Sequence, residues 1–556
     1  ADTAQLPLHA RQWFMTIAVF LAAIPPLYDT VLELHTLGGY IEIFVLMLLL
    51  MIFALQLTNR RAAGASRREL AWRWAAIGFI VGLGLWVNPL ILYAVLAAAI
   101  WIIIDWIKAL RESSVHIKHT NPSNVGTGFA PVLHNPTHVP AWQTFFKTLL
   151  LPALASIPAG ILGLAPAIYW GALNQWQNIT YILQLSGNPP LRPIVQAQYP
   201  TRLDIFFGLT HLYATCVGPR ILSGALPGEN PALRYLHTPT LMVSAFCIAT
   251  TVAFVVLSFI QPHPLLLAVR KLAALPLVFA ISVSVIFCVT ETAASGLWSC
   301  QYDLAGRYAT PLMLVLPFFV ATVFVIVILL EAGAYRVHQH RASNDALPRA
   351  DQDNPLQAHS IPGPGAPLAS QAFSSVKSGS SYWKLALALL VASLIVSVYL
   401  QVSLYAASDA GSTFQSAFCT NAPANNDAII AYMEREHIHY AWANNWIAYP
   451  IVFKTHENII ISDPLPLIRH IPLLDRIPAY TQAVRNADRP SFLVLVKHDD
   501  PYPLMLQYLD IQKIRYNVAR FPSQNGRDVL VITPLNRTVS PLDSFFFNVF
   551  ICSRDG

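Results

Sequence analysis

Apolar runs long enough to cross a hydrocarbon core of roughly 30 Å, at about 20 residues each, recur at residues 13–28, 40–57, 74–88, 90–107, 147–170, 240–260, 273–291, 309–331 and 385–406. They number about nine. Lipid offers no partner to a free backbone N–H or C=O, and these residues do not alternate as barrel strands would, so each run reads as a helix. Composition agrees: 55% of the residues are hydrophobic, only 12% are charged, and the mean hydropathy is +0.49. Soluble domains carry about 25% charged residues, so the chain reads as a polytopic α-helical membrane protein.

Lys and Arg in the connections set the expected orientation. They crowd residues 58–73 and 108–147, the turn with Arg270 and Lys271, the stretch 333–384 and the entry at Arg11. The connections 29–39 and 293–308 hold a single one, Arg307. With an odd number of spans, the N-terminus is then cytoplasmic, and 29–39, 171–238, 293–308 and 407–556 are external. Glu42, just inside a span, is expected to face the protein interior or a wet cavity, because an ionised carboxylate in lipid is costly.

The transmembrane domain, 1–406, carries an external loop, 171–238, and a Pro/Gly/Ser-rich cytoplasmic stretch, 338–382, that reads as a disordered linker. Loop 171–238 keeps enough aromatic and aliphatic residues to fold onto the membrane surface. Residues 407–556 differ in kind. AIIAYMEREH has helical spacing, HYAWA and NIIIS are short β-rich runs, and PSFLVLVKH and DVLVITPL are buried-strand candidates, so a small external α/β domain is expected. Cys247 and Cys288 fall inside spans as packing residues, while Cys216, Cys300, Cys419 and Cys552 fall outside. Cys419 and Cys552 bracket the α/β domain and are candidates for a disulfide that closes it. Asn178 and Asn536 head external sequons.

Four segments carry a family resemblance: PPLYDTVLELHTLGGYIEIF at 25–44, GLGLWVNPLILY at 82–93, GRYATPLMLVLP at 306–317 and YAWANNWIAYPIVFKTHENIIIS at 440–462. Together and in this order they resemble a GT-C membrane glycosyltransferase related to the dolichyl-phosphate-mannose protein mannosyltransferases and their bacterial counterparts. The resemblance implies a GT-C-like fold in the plasma (inner) membrane and an inverting transfer of a sugar from a polyprenyl-phosphate donor, on the outer face. The partners it implies are the lipid-linked sugar, an acceptor and membrane lipids; nucleic acid is not among them. No cofactor is evident, and a divalent cation stays open. In such enzymes a catalytic acid precedes the Gly-Gly-Tyr segment in the first external loop, whereas here that segment arrives within 40 residues. The expectation is that N-terminal spans and the true catalytic acid lie upstream of residue 1.

Sugar transfer from a lipid phosphate needs a base for the acceptor hydroxyl and cationic donors for the leaving phosphate. Asp29 and Glu33, four residues apart and so on one helical face, with His35 nearby, are the only acids in the first external connection present. They are the base candidates in this chain, or else interfacial polar groups. Arg307 offers phosphate a fork of donors, and Tyr308 adds a hydroxyl. The plainer alternative is that Arg307 snorkels or pairs with Asp303. His211 and Arg220 are candidate substrate contacts on the external loop. Trp446 and Tyr449, with Glu457, are candidates for sugar stacking in the outer domain, where aromatic residues also serve as core. No P-loop, GxGxxG or HExxH is present, and His116, His119, His134, His138, His338 and His340 lack zinc-type spacing. A second class stays in view: a transporter or lipid flippase with an external binding domain. If the acid lies upstream, residues 1–556 alone will show no sugar transfer from a polyprenyl-phosphate donor; robust turnover by this chain would instead promote Asp29 or Glu33 to base.

Overall fold

The computed structural model describes residues 7–23, 40–118, 150–176, 179–180, 200–223, 234–261, 263–290, 308–345, 380–407, 422–468, 475, 477–524, 526–542 and 544–550. The chain divides into two compact units, with the change near Leu404 and Tyr405. Among the described residues, seven helices of the first unit are long and apolar enough to cross a membrane: Glu42–Ala62, Arg67–Val87, Ile91–Arg111, Arg202–Ser223, Thr238–Ile260, Leu265–Val289 and Thr310–Leu330. A bent pair, Leu151–Gly163 with Ala165–Leu173, makes an eighth if it counts as one span. Helices of this length and composition suggest a multi-pass membrane protein, and the chain ends in a small C-terminal sheet region.

Helix α1 (Leu8–Ala23) begins five residues before the expected span 13–28, whose last five residues lie outside the described residues, and it is not among the membrane-length helices. Helices α2 (Tyr40–Ala62), α3 (Arg67–Val87) and α4 (Ile91–Lys118) cover the expected spans 40–57 and 90–107 and nearly all of 74–88. Local chemistry sets their ends. Gly64, at φ +76°, turns the chain after α2, and the Ser66 hydroxyl accepts from the Glu69 N–H to cap α3. Asn88 ends α3 and its side chain accepts from the Leu90 N–H, so the Asn-Pro pair of the sequence motif makes the tight turn into α4.

The expected span 147–170 is broken. Ser156–Gly163 (α5) and Ala165–Leu173 (α6) meet at 44°. Helix α5 runs parallel to α3 at unusually close range. A Cβ on Gly78 would run into the Ser156 carbonyl, one on Gly82 into the Gly160 carbonyl, and one on Gly163 into the Phe79 carbonyl. Lipid-embedded helices gain little from burying apolar surface against one another, so glycines that admit such backbone contact hold the pair.

Loop 171–238, expected to lie on the membrane surface, contains a continuous helical rod. It comprises α7 (Arg202–Leu212), a π-turn (Tyr213–Val217) and α8 (Gly218–Ser223). A reciprocal cap starts it: Thr201 Oγ1 accepts from the Asp204 N–H, and the Asp204 carboxylate accepts from the Thr201 N–H. Its hydropathy, 1.2, is the lowest of the seven, because Thr210, His211 and Arg220 interrupt it, and sequence alone hides it for that reason. Helices α9 (Arg234–Ile260), α10 (Pro264–Val289), α11 (Leu316–Asp345) and α12 (Ser380–Ala407) complete the unit. Arg270 and Lys271 lie inside α10 rather than in the turn before it, and Arg270 sits over the Phe259 ring at 5.0 Å. Helix α11 runs on to Asp345, into the stretch read as linker; residues 346–379 lie outside the described residues. The Thr310–Leu330 window is 72% buried and forms the centre, against 17% for the lipid-facing Thr238–Ile260.

The second unit is a mixed five-stranded sheet, ordered β2-β1-β3-β5-β4, from β1 (Tyr440–Ala443), β2 (Ile460–Ser462), β3 (Ser491–Lys497), β4 (Tyr516–Pro522) and β5 (Arg527–Pro534). Strands β1, β2 and β3 are parallel, and β5 runs antiparallel to β3 and β4. Along β3, Phe492, Val494 and Val496 enter one core while Leu493 enters another, which explains its unbroken apolar run. β4, with its alternating exposed positions, is the strand the sequence reading missed.

Gly82→Val is expected to lower the thermal unfolding midpoint of the detergent-purified protein, at a cost of about 1–3 kcal/mol. Exposed Leu85→Val in the same helix should leave it nearly unchanged. Equal midpoints for the two variants would show that the α3–α5 seam is not tight.

Candidate functional site

At Tyr308 the chain enters a short 3-10 helix, Thr310–Val315, with Pro311 in its first turn, before α11 begins. Tyr308 is half-buried against the main apolar cluster, and Ala309 and Thr310 are buried. This short helix packs on α10, α8 and α2. Tyr308 therefore leads into a point where several elements converge.

Helix α7 lies antiparallel to α10. Tyr213 carries most of the contact: its hydroxyl is 2.8 Å from Ser284 Oγ, and its ring is 5.3 Å from Phe287. A side-chain hydrogen bond joins Thr210 to Cys288. The Arg202 end of α7 thus lies toward the Val289 end of α10. The π-turn at Tyr213–Val217 interrupts the ladder beneath these contacts, a feature that often marks functional positions in helices. His211, on the outward side, is exposed; Arg220, in α8, is half-buried. Cys216, buried in the π-turn, is disulfide-bonded, while Cys247 and Cys288 are free and buried.

The structure thus places the elements bearing Tyr308 and Arg220 against each other and sets His211 on the same helical rod. Of the two places expected for Glu42, the protein interior or a wet cavity, it does not take the first. Glu42 is exposed in the first turn of α2 rather than turned inward; a carboxylate there meets the positive end of the helix dipole, so it needs no partner in the bundle. Asp29, Glu33, His35, Asp303 and Arg307 lie outside the described residues, as do Cys300, Cys419 and Cys552.

In the second unit the block 440–462 folds into one β-α-β crossover: β1, helix Asn445–Lys454, then β2. Trp442 is fully buried, Tyr449 packs against a core cluster and Trp446 is half-buried. Tyr449 thus serves the core in part. Glu457 holds a left-handed backbone at φ 66° and accepts a 2.6 Å hydrogen bond from the hydroxyl of half-buried Tyr480, which pushes that phenol's pKa up. Sequence reading missed a charge cluster. Buried Asp528, at the start of β5, lies 3.0 Å from His498 Nδ1 and 3.1 Å from Arg520. The signal was an acid heading the apolar run DVLVITP. Arg520 pairs with that carboxylate and His498 lies within hydrogen-bond distance of it, so the cluster reads as structural.

No family model, curated protein or solved structure matches this chain. Among the described residues, no group of three His, Cys, Asp or Glu side chains is placed to hold a metal ion. Around this convergence lie the hydroxyls of Tyr308, Thr310, Tyr213 and Ser284, with Thr310 buried and Tyr213 paired with Ser284.

Peptide mapping of the unreduced protein should recover Cys216 in a disulfide-linked peptide, with Cys247 and Cys288 alkylated only after unfolding. Alkylation of Cys216 without reductant would remove the disulfide.

Proposed function

We propose that this protein is a membrane glycosyltransferase of GT-C type that takes a sugar from a polyprenyl-phosphate donor at the Tyr308 end of the bundle, on the outer face. The observation that carries the reading is the convergence there of three elements: the Thr310–Val315 helix that follows Tyr308, the α7–α8 rod and α10. The motif resemblance supplies the chemistry; the convergence supports its location.

Two observations support the orientation. Cys216 is disulfide-bonded in the rod at that end, which suits an oxidising compartment. At the other end of α2 and α3, Arg60, Arg61, Arg67 and Arg68 gather, as cytoplasmic loops require. The α7–α8 rod need not change the number of crossings. Ser244 Oγ donates to the Leu222 carbonyl, and Ser244 lies ten residues into α9, about 15 Å along its axis. The rod therefore ends beside the middle of α9, as a re-entrant segment does, and residues 407–556 stay external.

In this reading Arg307 grips the donor phosphate, Tyr308 adds a hydroxyl, His211 and Arg220 flank the donor, and Trp446 and Tyr449 belong to an outer acceptor-side domain. The rival reading, a transporter or flippase, draws on the broken α5–α6 pair and the half-length rod, since transporters build sites from interrupted helices. An assay of sugar transfer in the full-length enzyme separates them: a flippase moves the lipid and leaves the sugar–phosphate bond intact.

Arg307→Lys keeps the charge but loses the two-pronged geometry, and Arg307→Ala loses both, so donor affinity should fall in that order. A charge-assisted hydrogen bond contributes about 1.5–3 kcal/mol, which is roughly 10- to 150-fold in affinity for the Ala variant. Unchanged donor binding by folded Arg307→Ala would leave Arg307 as a membrane-surface anchor.

A further inference from the structure

The helix Leu504–Ile511 in the second unit departs from the pattern of its neighbours. The helices Asp427–Arg435 and Pro478–Asn486 bury Ile429, Met433 and Val484 and turn polar residues such as Glu434 and Gln482 outward. That is the ordinary arrangement for a helix on a water-facing surface. In Leu504–Ile511 the inner side is Met505, Leu506 and Leu509, but the outer side is apolar as well. Leu504, Tyr508 and Ile511 are spaced to share one face, and they are 43% exposed, half-buried and 76% exposed. Phe545 stacks on Tyr508 at 5.1 Å and widens that side. The two other polar residues of the helix are Gln507 and Asp510, and the Asp510 carboxylate already accepts from the Tyr502 hydroxyl at 2.7 Å, with the Tyr516 hydroxyl 3.5 Å away.

Past Ile511 the surface turns basic. Lys513, Arg515 and Arg537 are exposed, and none of them has a carboxylate partner among the described residues. Local hydrogen bonds hold the three in one corner. The Asn536 side chain accepts from the Arg515 N–H at 3.0 Å and donates to the Lys513 carbonyl at 3.2 Å, and Arg537 donates to the Gln512 carbonyl at 2.9 Å, where the helix ends. Exposed Leu535 belongs to the same corner, its N–H donating to the Arg515 carbonyl at 2.8 Å.

An apolar, tyrosine-bearing side that runs into unpaired cations matches the layering of a bilayer surface, where anionic headgroups lie over acyl chains. A soluble polyanion would match the cations and leave Leu504 and Ile511 in water. The chain also keeps this unit near a bilayer: residues 408–421 separate it from α12, read from the sequence as the last span, and a segment of that length reaches at most about 50 Å. We propose that the outer side of the helix Leu504–Ile511 docks on the bilayer surface, with Leu504, Tyr508 and Ile511 in the interfacial layer and Lys513, Arg515 and Arg537 on anionic headgroups. This docking needs a membrane-inserted first unit and does not depend on the sugar-transfer reading.

The test uses the full chain in lipid nanodiscs, with photoreactive benzoylphenylalanine in place of Ile511 or, on the helix packed against the other core of the sheet, in place of exposed Glu434. Mass spectrometry identifies what each probe captures. In discs containing phosphatidylglycerol, the probe at position 511 should give lipid adducts several-fold above the probe at 434. That yield should fall several-fold in discs of phosphatidylcholine alone, and likewise in high salt. Lys513→Gln with Arg515→Gln should lower it several-fold too; both side chains are exposed, so the unfolding midpoint should not move. Any of three results overturns the docking: equal lipid adducts at the two positions, which would leave the helix in water; adducts at 511 to peptides of the first unit or of a second copy, which would make it a protein interface; or a yield that the two Gln substitutions leave unchanged, which would remove the cations from any part in it.

Discussion

A bilayer interior has no water to satisfy a free backbone N–H or C=O, and the first unit follows from that constraint. Its segments become helices whatever their intrinsic propensities. Because the outsides of these helices are as apolar as the lipid, their association must come from close packing and a few polar contacts. The α3–α5 seam is the clearest case. There glycine, a poor helix former in water, lets the two backbones touch.

The polar contacts are few and placed where they fix geometry. Arg61–Asp105 joins α2 to α4, and Trp101 Nε1 donates to Thr58 Oγ1 across the same pair at 3.1 Å. Tyr213 and Ser284 tie the α7–α8 rod to α10. Each lies near a helix end or a helix break, where water or headgroups can share the cost of a polar group. The middle of the bundle, around Met47, Phe279 and Phe319, is apolar. The second unit obeys the opposite logic. It closes a twisted sheet between two apolar cores and exposes most of its charges to water, Asp528 being the buried exception among the described residues.

A charge asymmetry runs along the helices of the first unit. One end keeps a disulfide and hydroxyl groups; at the other, Arg60, Arg61, Arg67 and Arg68 gather.

The sequence by itself determined the helical class, most of the spans, the tight Asn88 turn, the β-α-β block at 440–462 and the Cys247 and Cys288 packing. Each rests on local composition: run length, a Pro or Asn at a turn, or strand-type residues. Tertiary structure decided the rest. The α7–α8 rod was hidden because a few polar residues lower its hydropathy, and only packing against α10 shows where they go. The break between α5 and α6 and the exposed place of Glu42 depend on neighbours that no local pattern names. The site residues divide in the same way. Arg-Tyr before an apolar run can be read from the sequence, but that the helix it opens meets α8 and α10 is a property of the folded bundle, because contacts between segments a hundred residues apart leave no periodicity in the chain.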